Sequence, residues 1–180
     1  MGPPENSSLG VVCFLDEDAE SRIATLVSKI RAQSTLPPHL SLGGGYGASS
    51  SRADLFAKLE QFAAGIRQLP IRVGSLGIFR NIQGFSIFLA PVVTSQLLDL
   101  HQQFHAAFAS YRHECVPYYL PGAWVPHIAL AVHLDGVGLT SALDLCASKW
   151  SPFTACLHTV ALVEHPPTNV VATLPLAPSG

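Results

Sequence analysis

The chain has 180 residues, enough for one domain with a sizeable core, and it is 48% hydrophobic but only 12% charged, about half the usual share of roughly 25%. Ten Lys and Arg against twelve Asp and Glu give a formal charge of −2, which excludes a clamp for a long nucleic acid, since such clamps displace counterions with many cations. The apolar content excludes a disordered chain. Despite a mean hydropathy of +0.34, apolar runs such as 85–93, with Pro91 inside, are too short for the ~18–20 residues of a membrane-spanning helix.

Residues 1–8 read as a loose polar tail without the basic start and apolar core of a signal peptide. An apolar strand follows at 9–15. Asp16, Glu17, Asp18 and Glu20 suit a helix N-terminus. Ile23, Leu26, Val27 and Ile30 then recur at helical spacing, giving a helix to about Ala32 that ends before Pro37 and Pro38. A short strand over 39–42 ends in Gly43, Gly44 and Gly45. Ser51 caps a second helix with Leu55, Leu59, Phe62 and Ile66 on one stripe, ended by Pro70. Strands at 71–79 and 85–92 form a hairpin through Asn81-Ile82-Gln83-Gly84. Thr94 or Ser95 caps a third helix to about Tyr111, with Leu97, Leu100, Phe104 and Phe108 inward. A longer connection over 112–126 precedes a strand at 127–132 and a helix at 140–150. A last hairpin, 153–163 with 169–176, turns through Pro166 and Pro167.

Read this way, the chain repeats itself. One half runs strand with His39, helix, strand, strand; the other runs strand with His127, helix, strand, strand. Pro37-Pro38-His39-Leu40-Ser41-Leu42 answers Val125-Pro126-His127-Ile128-Ala129-Leu130, with the histidines 88 positions apart. A long period seen only twice is no solenoid. The expected architecture is α+β: a two-lobed, pseudo-twofold duplicated fold, with antiparallel sheets flanked by helices and a central cleft. It forms a single bilobal domain over 9–176, with a short tail at 177–180.

Alternate residues of a strand share a face. His39 therefore points with Ser41, and His127 with Ala129, while Leu40, Leu42, Ile128 and Leu130 point into the opposite layer. Two opposed imidazoles suit phosphodiester chemistry. One, neutral, takes a proton from a nucleophile; the other, as imidazolium, protonates the leaving oxygen. A hydroxyl donates to a non-bridging oxygen as charge builds. The unperturbed imidazole pKa of about 6.5 fits both tasks. No metal or other cofactor is required.

The paired His-x-Ser/Thr-x motifs, His39-Leu40-Ser41-Leu42 and His127-Ile128-Ala129-Leu130, resemble those of the 2H phosphoesterase superfamily, also called the 2′-5′ RNA ligase family. Trp124-Val125-Pro126-His127 is similar to the lead-in to its second motif. Leu76-Gly77-Ile78-Phe79, with the strand ending Leu89-Ala90-Pro91, is similar to its central hairpin. The resemblance covers about residues 9–176. It implies metal-independent cleavage of a 2′,3′-cyclic phosphate or 2′-5′ linkage in a small nucleotide or short oligonucleotide, with His39, His127 and Ser41 catalytic. Members that only bind nucleotides are also known. One departure stands out: Ala129 occupies the place where the second motif usually has Thr or Ser, so one hydroxyl donor is missing. A slower enzyme, a substitute donor from a loop, and a binder without turnover all remain open.

Further candidates for substrate contact surround the motifs. Tyr46 follows the glycine run, whose amides could approach a phosphate; a flexible loop is the other reading. Tyr118, Tyr119 and Trp124 lie in the connection before His127 and could stack on a base, although Trp124 also suits packing between lobes. Arg80 and Arg72 could hold phosphate or be solvated. His101 and His105, at i and i+4, are expected to face solvent, and His133 to sit at the cleft rim. Cys13, Cys115, Cys146 and Cys156 lack metal-site spacing and read as free thiols in a reducing, cytoplasmic compartment. The expected partner is a small nucleotide or short RNA-like substrate, with no membrane and no long nucleic acid, and the protein is expected to be a monomer.

Overall fold

The computed structural model describes residues 7–30, 36–47, 49–166 and 168–179. Residues 1–6 of the expected tail, the helix end at Ala32, Pro167 of the last turn and Gly180 lie outside the described residues. The elements in chain order are β1 (Ser8–Leu15), α1 (Glu17–Ile30), β2 (His39–Tyr46), α2 (Arg52–Ala64), β3 (Leu69–Asn81), β4 (Gly84–Pro91), α3 (Ser95–Ala107), β5 (Ile128–Leu134), α4 (Gly136–Lys149), β6 (Phe153–His165) and β7 (Asn169–Pro175). Two 3-10 turns, Ala109–Tyr111 and Pro117–Tyr119, fall in the connection between α3 and β5.

Helix starts follow capping chemistry. Ser51 Oγ accepts from the Asp54 amide at 3.1 Å, Thr94 Oγ1 from Leu97 at 3.2 Å and Asp135 Oδ1 from Gly138 at 2.7 Å. Asp16 caps α1 through the Ala19 amide and also accepts the Cys156 amide, which ties the helix start to β6. Gly65 ends α2 five residues before Pro70, so the proline opens β3 rather than stopping the helix.

All strand pairs in the sheet are antiparallel, in the order β2-β1-β6-β3-β4-β5, with β7 added on β6. The order is palindromic about the β6–β3 pair, where Leu69 to Val73 run against Leu157 to Phe153. The pseudo-twofold therefore relates β1-α1-β2-α2-β3 to β4-α3-β5-α4-β6, and the repeat begins one strand earlier than the sequence pattern suggests. The last strand of each unit leaves its own lobe. β3 pairs with β4, and β6 pairs with β1. Chain halves and lobes thus differ, because the β3–β4 hairpin straddles the repeat boundary.

Helices α1 and α4 pack on β4, β5 and β6; α2 and α3 pack over β2, β3, β6 and β7. The core between helices and sheet takes Leu40, Leu42 and Ile128, all fully buried, and Leu130, as strand alternation requires. A smaller apolar cluster of Val12, Phe14, Ala161 and Val163 forms on the other face of β1 and β6. Ala177, expected in a tail, bridges Arg67 and accepts the Gln68 amide at 2.8 Å.

Candidate active site

His39 opens β2, and His127 immediately precedes β5. Each follows a proline, which biases the residue before it toward extended backbone. Each ring is held in the same way. His39 Nδ1–H donates to the Pro37 carbonyl at 2.8 Å, and His127 Nδ1–H donates to the Val125 carbonyl at 2.7 Å. A carbonyl only accepts, so Nδ1 carries the proton and the neutral ring leaves Nε2 with its lone pair. Both histidines line one cavity of about 500 Å³ together with Ser41 and Ala129, with Val12 and Val163 contributing apolar wall. Burial pushes both imidazoles below the ordinary pKa, against the pull of their carbonyl partners; the charge of His127 lowers His39 further.

The neighbours of the two rings differ. His127 has Phe79 at 4.9 Å and Phe88 at 5.5 Å between ring centroids; His39 has, among the described aromatic rings, Phe14 edge-on at 6.5 Å. Gly77 is what admits Phe88, whose ring occupies the place a Cβ would take there.

The glycine run is not a loop but part of a strand, and it lines the cleft. Gly43, Gly44 and Gly45 belong to β2, and the connection before β5 docks on them. The Val116 amide donates to the Gly44 carbonyl at 2.9 Å. A Cβ at Gly45 would stand 2.8 Å from Val116, and one at Gly43 2.7 Å from Phe104. Tyr46 is correspondingly a core residue, 1% exposed with its ring against Phe108, and it does not line the cleft.

The docked connection places its aromatics at the site. The Trp124 indole N–H donates to the Ser41 carbonyl at 3.0 Å, and its ring stacks flat on His101 at 3.9 Å. His101 and His105 are buried, not solvent-facing, and both Nε2–H groups donate to the Tyr119 carbonyl at 2.9 Å. Burial, then the neighbouring His105, holds His101 at about 4. Tyr118 is exposed and lines both the cleft and a second cavity of about 400 Å³, which also takes Phe79, Arg80, Trp124 and His127. Arg80 is exposed with its guanidinium over Phe85 at 5.8 Å. Arg72 lies opposite Thr154 and lines neither cavity. His133 has a left-handed φ of 57° at a bulge that breaks strand alternation, and it too lines neither.

Two groups at the far end of the cleft carried no usable sequence signal. Glu164 is paired with Arg52 at 2.8 Å, and His165 Nδ1 lies 2.7 Å from Thr168 Oγ1. The fold alone brings them to the cleft, across more than a hundred residues from Ser41. Among the described residues no group of three or more His, Cys, Asp or Glu converges as a metal-ligand set, and no helix is long and apolar enough to cross a membrane.

Solved structures share this fold. TT0787 of Thermus thermophilus superposes with a TM-score of 0.64 at 16% identity, over 96% of this chain and 100% of that one. E. coli LigT complexed with 3′-AMP gives 0.61 at 14% identity, over 94% and 98%. LigT complexed with NADP+ gives 0.58 at 14%, over 97% and 99%. No curated protein sequence matches. The profile of the 2′-5′ RNA ligase superfamily matches residues 11–169, and with that span covering both histidine motifs the chain belongs to this superfamily.

Proposed function

We propose that the protein is a metal-independent phosphodiesterase acting on a small nucleotide or short oligonucleotide, through His39 and His127. The observation that carries this reading is the identical tethering of two imidazoles, Nδ1–H to the carbonyl two residues earlier, in one cleft. Each Nε2 is thereby left for proton transfer. One ring, neutral, takes the proton of a water or ribose 2′-hydroxyl as that oxygen attacks phosphorus. The other, as imidazolium, gives its Nε2 proton to the departing ester oxygen. Ser41 Oγ–H donates to a non-bridging oxygen while charge accumulates.

A charge on one ring disfavours a charge on the other, so the pair holds one proton, and which ring carries it follows from the way the substrate lies. Both pKa values lie below 6.5 in the free protein, and an anionic phosphate between the rings raises them toward working pH. Substrate size follows from the shortage of cations. Of the arginines near the cavities, Arg52 is engaged by Glu164 and Arg80 stands at the rim. Recognition therefore rests on hydroxyls, aromatics and the histidines. LigT, which shares the fold, has been solved with 3′-AMP, a ligand of the expected size.

Ala129 supports a second reading, a nucleotide-binding module without turnover. Assay of 2′,3′-cyclic nucleotides and 2′-5′ dinucleotides separates the two. The phosphodiesterase shows turnover that falls about 10²–10⁴-fold in His39→Ala and in His127→Ala. Its kcat/KM peaks below about pH 6.5, between two lowered histidine pKa values. Most of the rate persisting in either variant overturns the pair. Calorimetric binding without any turnover establishes the module.

A further inference from the structure

Tyr119 is fixed at every end. Its amide donates to the Val116 carbonyl at 3.0 Å. Its carbonyl accepts from both His101 and His105. Its ring lies on β2, 3.3 Å from the place a Cβ would take on Gly44, so a side chain there would press on the ring. Its phenol interacts with the Ser41 side chain, and both residues line the same cleft. The residue lines both the cleft that holds His39, Ser41, His127 and Ala129 and the second cavity beside His127.

A donor held this way needs no reorganisation when charge develops. Ser41 and Tyr119 carry two hydroxyl protons between them. A phosphodiester presents two non-bridging oxygens, so each hydroxyl can turn to one. Burial raises the Tyr119 phenol above its ordinary value, which keeps it protonated and therefore a donor.

We propose that the Tyr119 hydroxyl supplies the second phosphate-oxygen donor that Ala129 does not provide. This rests on the phosphodiesterase reading for its kinetic form, but the same donor also holds the phosphate of a bound nucleotide. The connection between α3 and β5 thus does for this chain what a hydroxyl on β5 would otherwise do.

The test is a pair of substitutions that exchange the donor between positions. Tyr119→Phe keeps the ring on Gly44 and is expected to lower kcat about 10²–10³-fold, with KM changing little. Adding Ala129→Thr to Tyr119→Phe is expected to restore most of that loss. A merely structural role for Tyr119, holding Ser41 in place, gives no such rescue. Wild-type kcat in Tyr119→Phe, or an unrescued double variant, overturns the proposal. If the wild type turns over none of these substrates, the phosphodiesterase reading fails by itself, and calorimetry with 3′-AMP and adenosine reads the donor directly. A roughly tenfold loss of 3′-AMP affinity in Tyr119→Phe, with adenosine unchanged, sustains it. Equal losses for both ligands, or none for 3′-AMP, overturn it.

Discussion

The two histidine-bearing strands begin alike and are furnished differently. β2 lies against β1, carries Ser41, and is covered by Trp124, Tyr119 and Val116 from the connection docked on its glycines. β5, at the opposite edge of the sheet from β2, carries an exposed Ala129, and its histidine meets Phe79 and Phe88. The tether of each imidazole is duplicated, while the groups around it are not. Duplication preserved what sets the rings and left the donors and the aromatic contacts free to diverge. On the proposed reading the His39 side supplies the hydroxyls, and each side supplies one imidazole.

The sharpest way to break that asymmetry is Ser41→Ala. With β5 lacking a hydroxyl, its loss is expected to cost about 10²–10³-fold in kcat on whichever phosphodiester the wild type cleaves. A loss below about threefold would mean that β2 does not furnish the donors. The next effect concerns the support beneath β2. His101 stays neutral in the folded protein down to about pH 4, while the unfolded chain binds a proton near 6.5. The unfolded state therefore holds more protons across that window, and stability falls as pH drops from about 6.5 toward about 4. Melting curves should show Tm falling by at least roughly 2–4 °C over this range. His101→Leu should flatten the slope; an unchanged slope removes His101 as its source. The smallest effect is expected from Tyr46→Phe. It removes a core hydroxyl beside Cys115, costing about 1 kcal/mol in denaturant unfolding and leaving kcat unchanged. A lowered kcat there would return Tyr46 to the site.

Much of the site was legible because strand alternation is local. His39 and Ser41 share one face, with Leu40 and Leu42 buried on the other, and the same pattern holds at His127. Repeated strand and helix patterns likewise gave the α+β class. The exchange of β3 and β6 was not legible, since pairing partners are set by contacts between distant segments rather than by periodicity. The glycine run misled because glycine is poor in strands; here small size is used to let another segment lie on the sheet. The burial of His101 and His105 did have a signal. Leu97, His101 and Phe104 fall at helical spacing on α3, with Phe108 at its C-cap, so that stripe includes the imidazole. Histidine was read as polar, although two carbonyl-directed N–H bonds satisfy both rings inside.

The reciprocal exchange of strands bears on how such a molecule can be divided. The β3–β4 turn at Ile82 is fully exposed and sits at the boundary between the two repeat units. A chain opened there yields an N-terminal piece whose last strand belongs beside β4, and a C-terminal piece whose β6 belongs beside β1. Neither piece can complete a sheet from its own strands, yet each carries what the other lacks. The two halves are thus complementary fragments rather than separable modules. A single ancestral unit of this kind would have closed its sheet only by lending a strand to a second copy of itself.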